Sequence, residues 1–293
     1  MKIITDFLRQ YIIYLSIYLI SSYLLFSCAT DTNENSKRGG AGNLVIPYNI
    51  TILIDLSDRN LSNNYPQLTT DIPVKHDTTA IRIILSVLKE TFRSLTIKDK
   101  VNIEPVHQDN SNYDQYYSDN YEKLKIDMEK IFQELKSQGK PCLSIPVRKK
   151  EFDKHCNTLI KSTSDLENIA LQNQNPSGGD VTKFLKEKLK YYFRQDYKNV
   201  LVILTDGDEA FNSDIQKSRT KIDLNGNYTG LKIFMCGINA PNSSKNQNEI
   251  SEIRKNWITK FQQIGINEDD IEFNEVNDIN LIETKVKQFV NVN

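Results

Sequence analysis

The chain has 293 residues, 39% of them hydrophobic and 9% aromatic. That is enough apolar side chain for one sizeable folded domain, not an array of small ones. Lys and Arg number 37 against 38 Asp and Glu, a formal charge of -1, so the chain as a whole exerts no electrostatic pull on nucleic acid or anionic lipid. The three histidines are scattered and no CxxC pair occurs, which excludes a zinc-stapled fold.

The amino terminus reads as an export signal. Lys2 and Arg9 lie in a short polar start, Tyr11 to Phe26 is strongly apolar, and Ser27-Cys28-Ala29 follows. A basic start, an apolar core and small residues at a cleavage point form the secretory pattern. Leu25-Phe26-Ser27-Cys28 resembles the lipobox of bacterial lipoproteins. The resemblance implies that residues 1–27 are a signal peptide and that Cys28 becomes the lipidated (palmitate-bearing) first residue. The mature protein would then sit in the cell envelope, outside the cytoplasm and anchored to a membrane. An uncleaved membrane helix with an incidental Cys28 is the alternative, and it too leaves the rest of the chain tethered. Residues 28–42 are small and polar, with Gly39-Gly40-Ala41-Gly42 at the end, and read as a flexible tether.

Residues 43–293 read as one domain. Tyr48 to Ile54 is apolar nearly throughout, as a strand covered on both faces should be. Thr79 to Leu95 carries Ile81, Ile84, Leu85, Leu88, Phe92 and Leu95 on one helical face, with Asp77 or Thr78 available as a cap. Lys100 to Val106 is a second strand. The Tyr- and Asn-rich stretch Asp109 to Asn120 reads as a loop whose tyrosines either fold onto the domain or form a binding surface. Tyr121 to Lys136 reads as a helix, Cys142 to Val147 as a short strand and Glu151 to Ile169 as a helix, so that residues 109–172 form a largely helical insertion. Asn173 to Gly179 is a turn. Val181 to Phe193 is a helix whose Lys183, Lys186, Lys188 and Lys190 form a solvated face. Val200 to Leu204 and Leu231 to Cys236 are pure apolar strands. Ile250 to Phe261 is a helix in which Trp257 packs, Ile271 to Val276 a strand and Leu281 to Val290 a helix. Cys236 reads as a buried thiol, whereas Cys142 and Cys156 are equally open to pairing or to remaining reduced.

Strands alternating with helices predict an α/β fold: a mostly parallel central sheet flanked by helices on both faces. Ligands in such sheets bind beyond the carboxyl ends of the strands. Asp55, in Asp55-Leu56-Ser57-Asp58-Arg59, directly follows the first strand, and Asp206, in Thr205-Asp206-Gly207-Asp208, follows a later one. Between them Gly178-Gly179-Asp180 opens a helix. These three motifs, in this order over Tyr48 to Val290, resemble a von Willebrand factor type A domain. The resemblance implies a metal-ion-dependent adhesion site in which a divalent ion, Mg2+ or Mn2+, bridges to a carboxylate of a protein partner. Asp55 and Ser57 match its first Asp and first Ser, and Asp206 its last Asp. Arg59 stands where a second Ser belongs. Gly179 falls on the usual Thr position and Asp180 on the residue after it; another register lets Asp180 or Thr182 serve.

Two readings of the site stay open. In one, Asp55, Ser57, Asp180 and Asp206 hold the ion, which suits magnesium because it needs few protein oxygens and keeps several waters. In the other, the Arg59 guanidinium is the cation and neutralises Asp55 and Asp206 without metal. The functional expectation is a non-enzymatic, membrane-anchored module that binds an extracytoplasmic protein and no nucleic acid. Alternatives are a metal-free structural or assembly lipoprotein and a metal-dependent hydrolase. An Asp after a first strand also resembles the start of haloacid dehalogenase-like phosphatases, but these need a second Asp two residues later as general acid, and that position is Ser57.

Overall fold

The apolar alternation of the strands decides the architecture. In β1 (Tyr48–Asp55), Ile50, Ile52 and Ile54 point to one face of the sheet and Asn49, Thr51, Leu53 and Asp55 to the other. β2 (Lys100–Val106), β4 (Lys198–Leu204) and β5 (Lys232–Cys236) divide in the same way. Each strand therefore feeds two separate cores, and a sheet with two apolar faces requires helices on both.

The protein is seen in a computed structural model that describes residues 46–55, 80–87, 98–106, 111–140, 145–172, 181–205, 207, 226–238, 246–274 and 283–288. Among the described residues the sheet has six strands in the order β3-β2-β1-β4-β5-β6, where β3 is Lys125–Asp127 and β6 is Ile271–Asn274. All neighbours pair parallel except β2 with β3. The first face is covered by α1 (80–87), α2 (Ser111–Asn120), α3 (Met128–Ser137) and the long α4 (Ile145–Gln172), which bury Ile81, Ile84, Phe132, Phe152 and Leu159. Val286, from α8 (283–288), joins the same core. The second face is covered by α5 (Val181–Glu187), α6 (Leu189–Tyr192) and α7 (Gln247–Gln263), through Phe184, Leu185, Leu189, Trp257 and Phe261. This is the α/β arrangement, with helices on both faces of a mostly parallel sheet, that the succession of strands and helices along the chain predicts. The start of α7 is fixed by a capping box, in which the Asn246 side chain accepts from Glu249 N–H and the Glu249 side chain accepts from Asn246 N–H.

Four elements differ from the sequence expectation. Ser111–Asn120 is a helix, not a loop. Its tyrosines supply the stabilisation that its composition lacks: Tyr116 donates from its hydroxyl to the Ser162 carbonyl, Tyr117 reaches Glu104 on β2, and both pack against the core. The single helix expected over Tyr121 to Lys136 is divided into a 3-10 turn (Tyr121–Leu124), β3 and α3. Leu124, Ile126 and Met128 are all fully buried, and that period of two belongs to a strand. Asp127 ends the strand and caps α3, accepting from Glu129 and Lys130 N–H. Of the strand expected from Cys142 to Val147, Ile145 to Val147 are the start of α4, and Cys142 to Ser144 lie outside the described residues. The helix expected over Val181 to Phe193 is present in two pieces that meet at Lys188. Cys156 and Cys236 are buried thiols, and Cys142 lies outside the described residues.

Candidate functional site

The strand order reverses at β1: β2 lies on one side of it and β4 on the other. Crossovers leave such a switch point in opposite directions, which opens a crevice beyond the carboxyl ends of the two central strands. Ile54 is in register with Leu204, so the next residues, Asp55 and Thr205, meet at the crevice.

The Asp55 carboxylate is almost fully buried, at 2% exposure. Thr205 donates from Oγ1 to Asp55 Oδ2 at 2.8 Å, and Gly207 N–H donates to Thr205 Oγ1 at 3.1 Å. The Gly207 carbonyl in turn accepts from Trp257 Nε1 at 3.0 Å, and Thr205 N–H donates to the Cys236 carbonyl at 2.9 Å. A chain of hydrogen bonds thus runs from α7 through the turn after β4 to the last residue of β1. It aims the Asp55 carboxylate and holds the two strand ends together. Gly207 is needed for the turn: its φ is +87°, and a Cβ there would stand 2.8 Å from Ile253 Cγ2.

Of the residues expected to form the site, Asp55 is the last residue of β1, at the carboxyl end of the strand. Ser57, Arg59, Asp180 and Asp206 lie outside the described residues, as does the lipidation candidate Cys28. Thr205 and Gly207, the chain neighbours of Asp206, are at the crevice. Thr182, the ligand offered by the second register, instead accepts a hydrogen bond at 3.0 Å from Lys260 on α7. Among the described residues no group of three or more His, Cys, Asp or Glu is placed to hold a metal, and three of the four expected ligands are outside that set. The donors at hand are oxygens, a buried carboxylate oriented by a hydroxyl, which is the chemistry that suits magnesium or manganese rather than zinc. Thr205 is the participant that sequence reasoning passed over. Its signal was its place, directly after an apolar strand and directly before Asp206.

No protein-family model matches the chain, and no curated protein matches it. Two solved structures of proximal thread matrix protein 1 from the mussel byssus match the chain at TM-scores of 0.36 and 0.34, with 10% and 12% identity. Each comparison covers 84% of this chain, and 48% and 47% of the mussel chains. The chain therefore spans about half the length of the structures it matches.

Proposed function

We propose that the chain is a lipid-anchored module of a bacterial cell envelope. Its α/β domain engages an extracytoplasmic protein at the crevice beyond β1 and β4, and its role is binding, not catalysis. The observation that carries this reading is the buried Asp55 carboxylate at the topological switch point, aimed by Thr205. Burying a carboxylate is costly unless hydrogen bonds and a cation compensate. Asp55, Ser57, Asp180 and Asp206 would hold Mg2+ or Mn2+ here, and the ion would supply an open coordination position for a carboxylate of the partner.

Calorimetric titration of the full chain in detergent with magnesium or manganese chloride tests the reading. The expected result is saturable heat at millimolar ion that Asp55→Ala abolishes. Silence from the wild type would overturn the metal-bridged mechanism and leave the metal-free assembly lipoprotein, in which Arg59 is the resident cation. Arg59→Ser should then restore the heat. Turnover of a generic phosphate ester would instead support a hydrolase. For the anchor, Cys28→Ser should release the protein from membranes into the soluble fraction, and retention would favour the uncleaved membrane helix.

A further inference from the structure

The same face of the sheet carries a second polar feature. A cleft of about 520 Å³ runs from Glu104, in register with Leu53, toward the amino ends of β1 and β2 at Asn49 and Lys100. Asn49 and Asp55 are six residues apart on β1, roughly 20 Å at the rise of a strand, so the cleft extends away from the switch point. Its volume falls within the range of small-molecule sites.

The floor of the cleft is a closed network. Glu104 is buried, and its Oε1 accepts from Lys188 Nζ at 2.7 Å. Its Oε2 accepts from the hydroxyls of Tyr192, at 2.7 Å, and Tyr117. Both carboxylate oxygens are committed, so Glu104 is not placed to act as a general base; it cross-links α2, α6 and β2 into a rigid floor. The other carboxylate, Asp127, is paired with Lys100 at 2.5 Å.

The walls carry more cation than that network consumes. Lys100, Lys125, Lys188 and Arg194 face Glu104 and Asp127, an excess of two positive charges in a chain whose net charge is -1. After the two ion pairs, Lys125 and Arg194 remain. Lys125 lies 2.9 Å from the Tyr121 ring centroid, and Arg194 lies 5.6 Å from that of Tyr197. Neither has a carboxylate within ion-pair distance among the described residues, although the Lys125 charge, after that of Lys130, helps to hold the Glu122 carboxyl low. Beside them Tyr191 is 72% exposed, with Lys190 Nζ 4.9 Å from its ring centroid, and the Tyr121 ring meets Tyr117 edge-on at 5.3 Å. A wall with surplus cations and open aromatic surface is complementary to a ligand that carries a negative group on a ring.

We propose that this cleft is a second binding site, for a small organic anion bearing an aromatic ring. Lys125 and Arg194 receive the phosphate or carboxylate, and the ring lies against Tyr191. The test is titration of the full chain in detergent with phenyl phosphate and benzoate, followed by calorimetry, with inorganic phosphate and benzyl alcohol as comparisons. The expected result is saturable binding of at least one aromatic anion. It should be about tenfold tighter than either comparison compound, the size of one added favourable contact. Raised salt should weaken it, and the double variant Lys125→Gln, Arg194→Gln should lose it with an unchanged Tm. Three results would each overturn the proposal: no saturation at millimolar aromatic anion, equal binding of inorganic phosphate or benzyl alcohol, or binding that survives in a folded double variant. If the double variant does not fold, the comparison of ligands on the wild type decides alone.

Discussion

The hydroxyl of Thr205 is the hinge of the crevice at the residue scale, because it donates to a buried carboxylate and accepts from a backbone N–H at once. Thr205→Val keeps the shape and removes both bonds. It should destabilise the protein by roughly 1–3 kcal/mol in urea unfolding, the cost of stranding buried polar groups. Thr205→Ser, which keeps the hydroxyl, should lose clearly less; equal losses would show that the hydroxyl is idle. At Gly207 the backbone is left-handed and a Cβ would meet Ile253 at 2.8 Å and Ile238 at 3.2 Å. Gly207→Ala should therefore cost at least about 1–2 kcal/mol, read as a lowered Tm. An unchanged Tm would mean that this turn is not held as described.

At the scale of elements, β3 and α3 depend on one side chain. Asp127 caps α3 and pairs with Lys100 of β2, so it ties the edge strand to the sheet and starts the helix. Asp127→Ala should cost about 1–2 kcal/mol, as loss of a helix cap does. Asp127→Asn keeps a cap acceptor and should cost less, because a partly exposed ion pair contributes little. Burial pushes the Asp127 carboxyl up, but the Lys100 ammonium and the two helix N–H groups together hold it below the ordinary carboxylate range. A carboxyl lowered on folding stabilises the protein above its unfolded value, about pH 4, and loses that contribution as pH falls through the folded value. The acid limb of a stability profile should accordingly be shallower in Asp127→Asn than in the wild type.

For the molecule as a whole, the Glu104 network joins elements distant in the chain. Burial first, and the Glu104 carboxylate second, push the phenols of Tyr117 and Tyr192 far above their ordinary value. A phenol raised on folding contributes fully below its unfolded value, about pH 10, and the contribution is lost as pH rises beyond it. Urea midpoints should hold up to about pH 10 and fall steeply above it. Tyr117→Phe and Tyr192→Phe should lower stability at neutral pH, each by about 1 kcal/mol for a lost hydrogen bond, and flatten the alkaline decline. A decline of the same slope in both variants would show that the network does not set it.

The sequence by itself determined the class of fold and marked Asp55 as a candidate. The apolar strands β1, β4 and β5 are legible because a short run of apolar residues is a local signal, and Asp55 stands out because an acid directly follows such a strand. Tertiary structure alone decided the rest. Asp55 and Thr205 are 150 residues apart in the chain, and only the strand order brings them together. The Tyr-rich segment became α2 because Ser162 and Glu104 receive its hydroxyls, and the residues around Ile126 became β3 because the edge of β2 was there to pair with. Lys188, one of four lysines on a helix that reads as a solvated face, bonds instead to a buried glutamate on β2. Pattern along a chain reports which face of an element is apolar; which partner that face meets is set by pairing and packing between residues far apart in sequence, and those do not show in any local window.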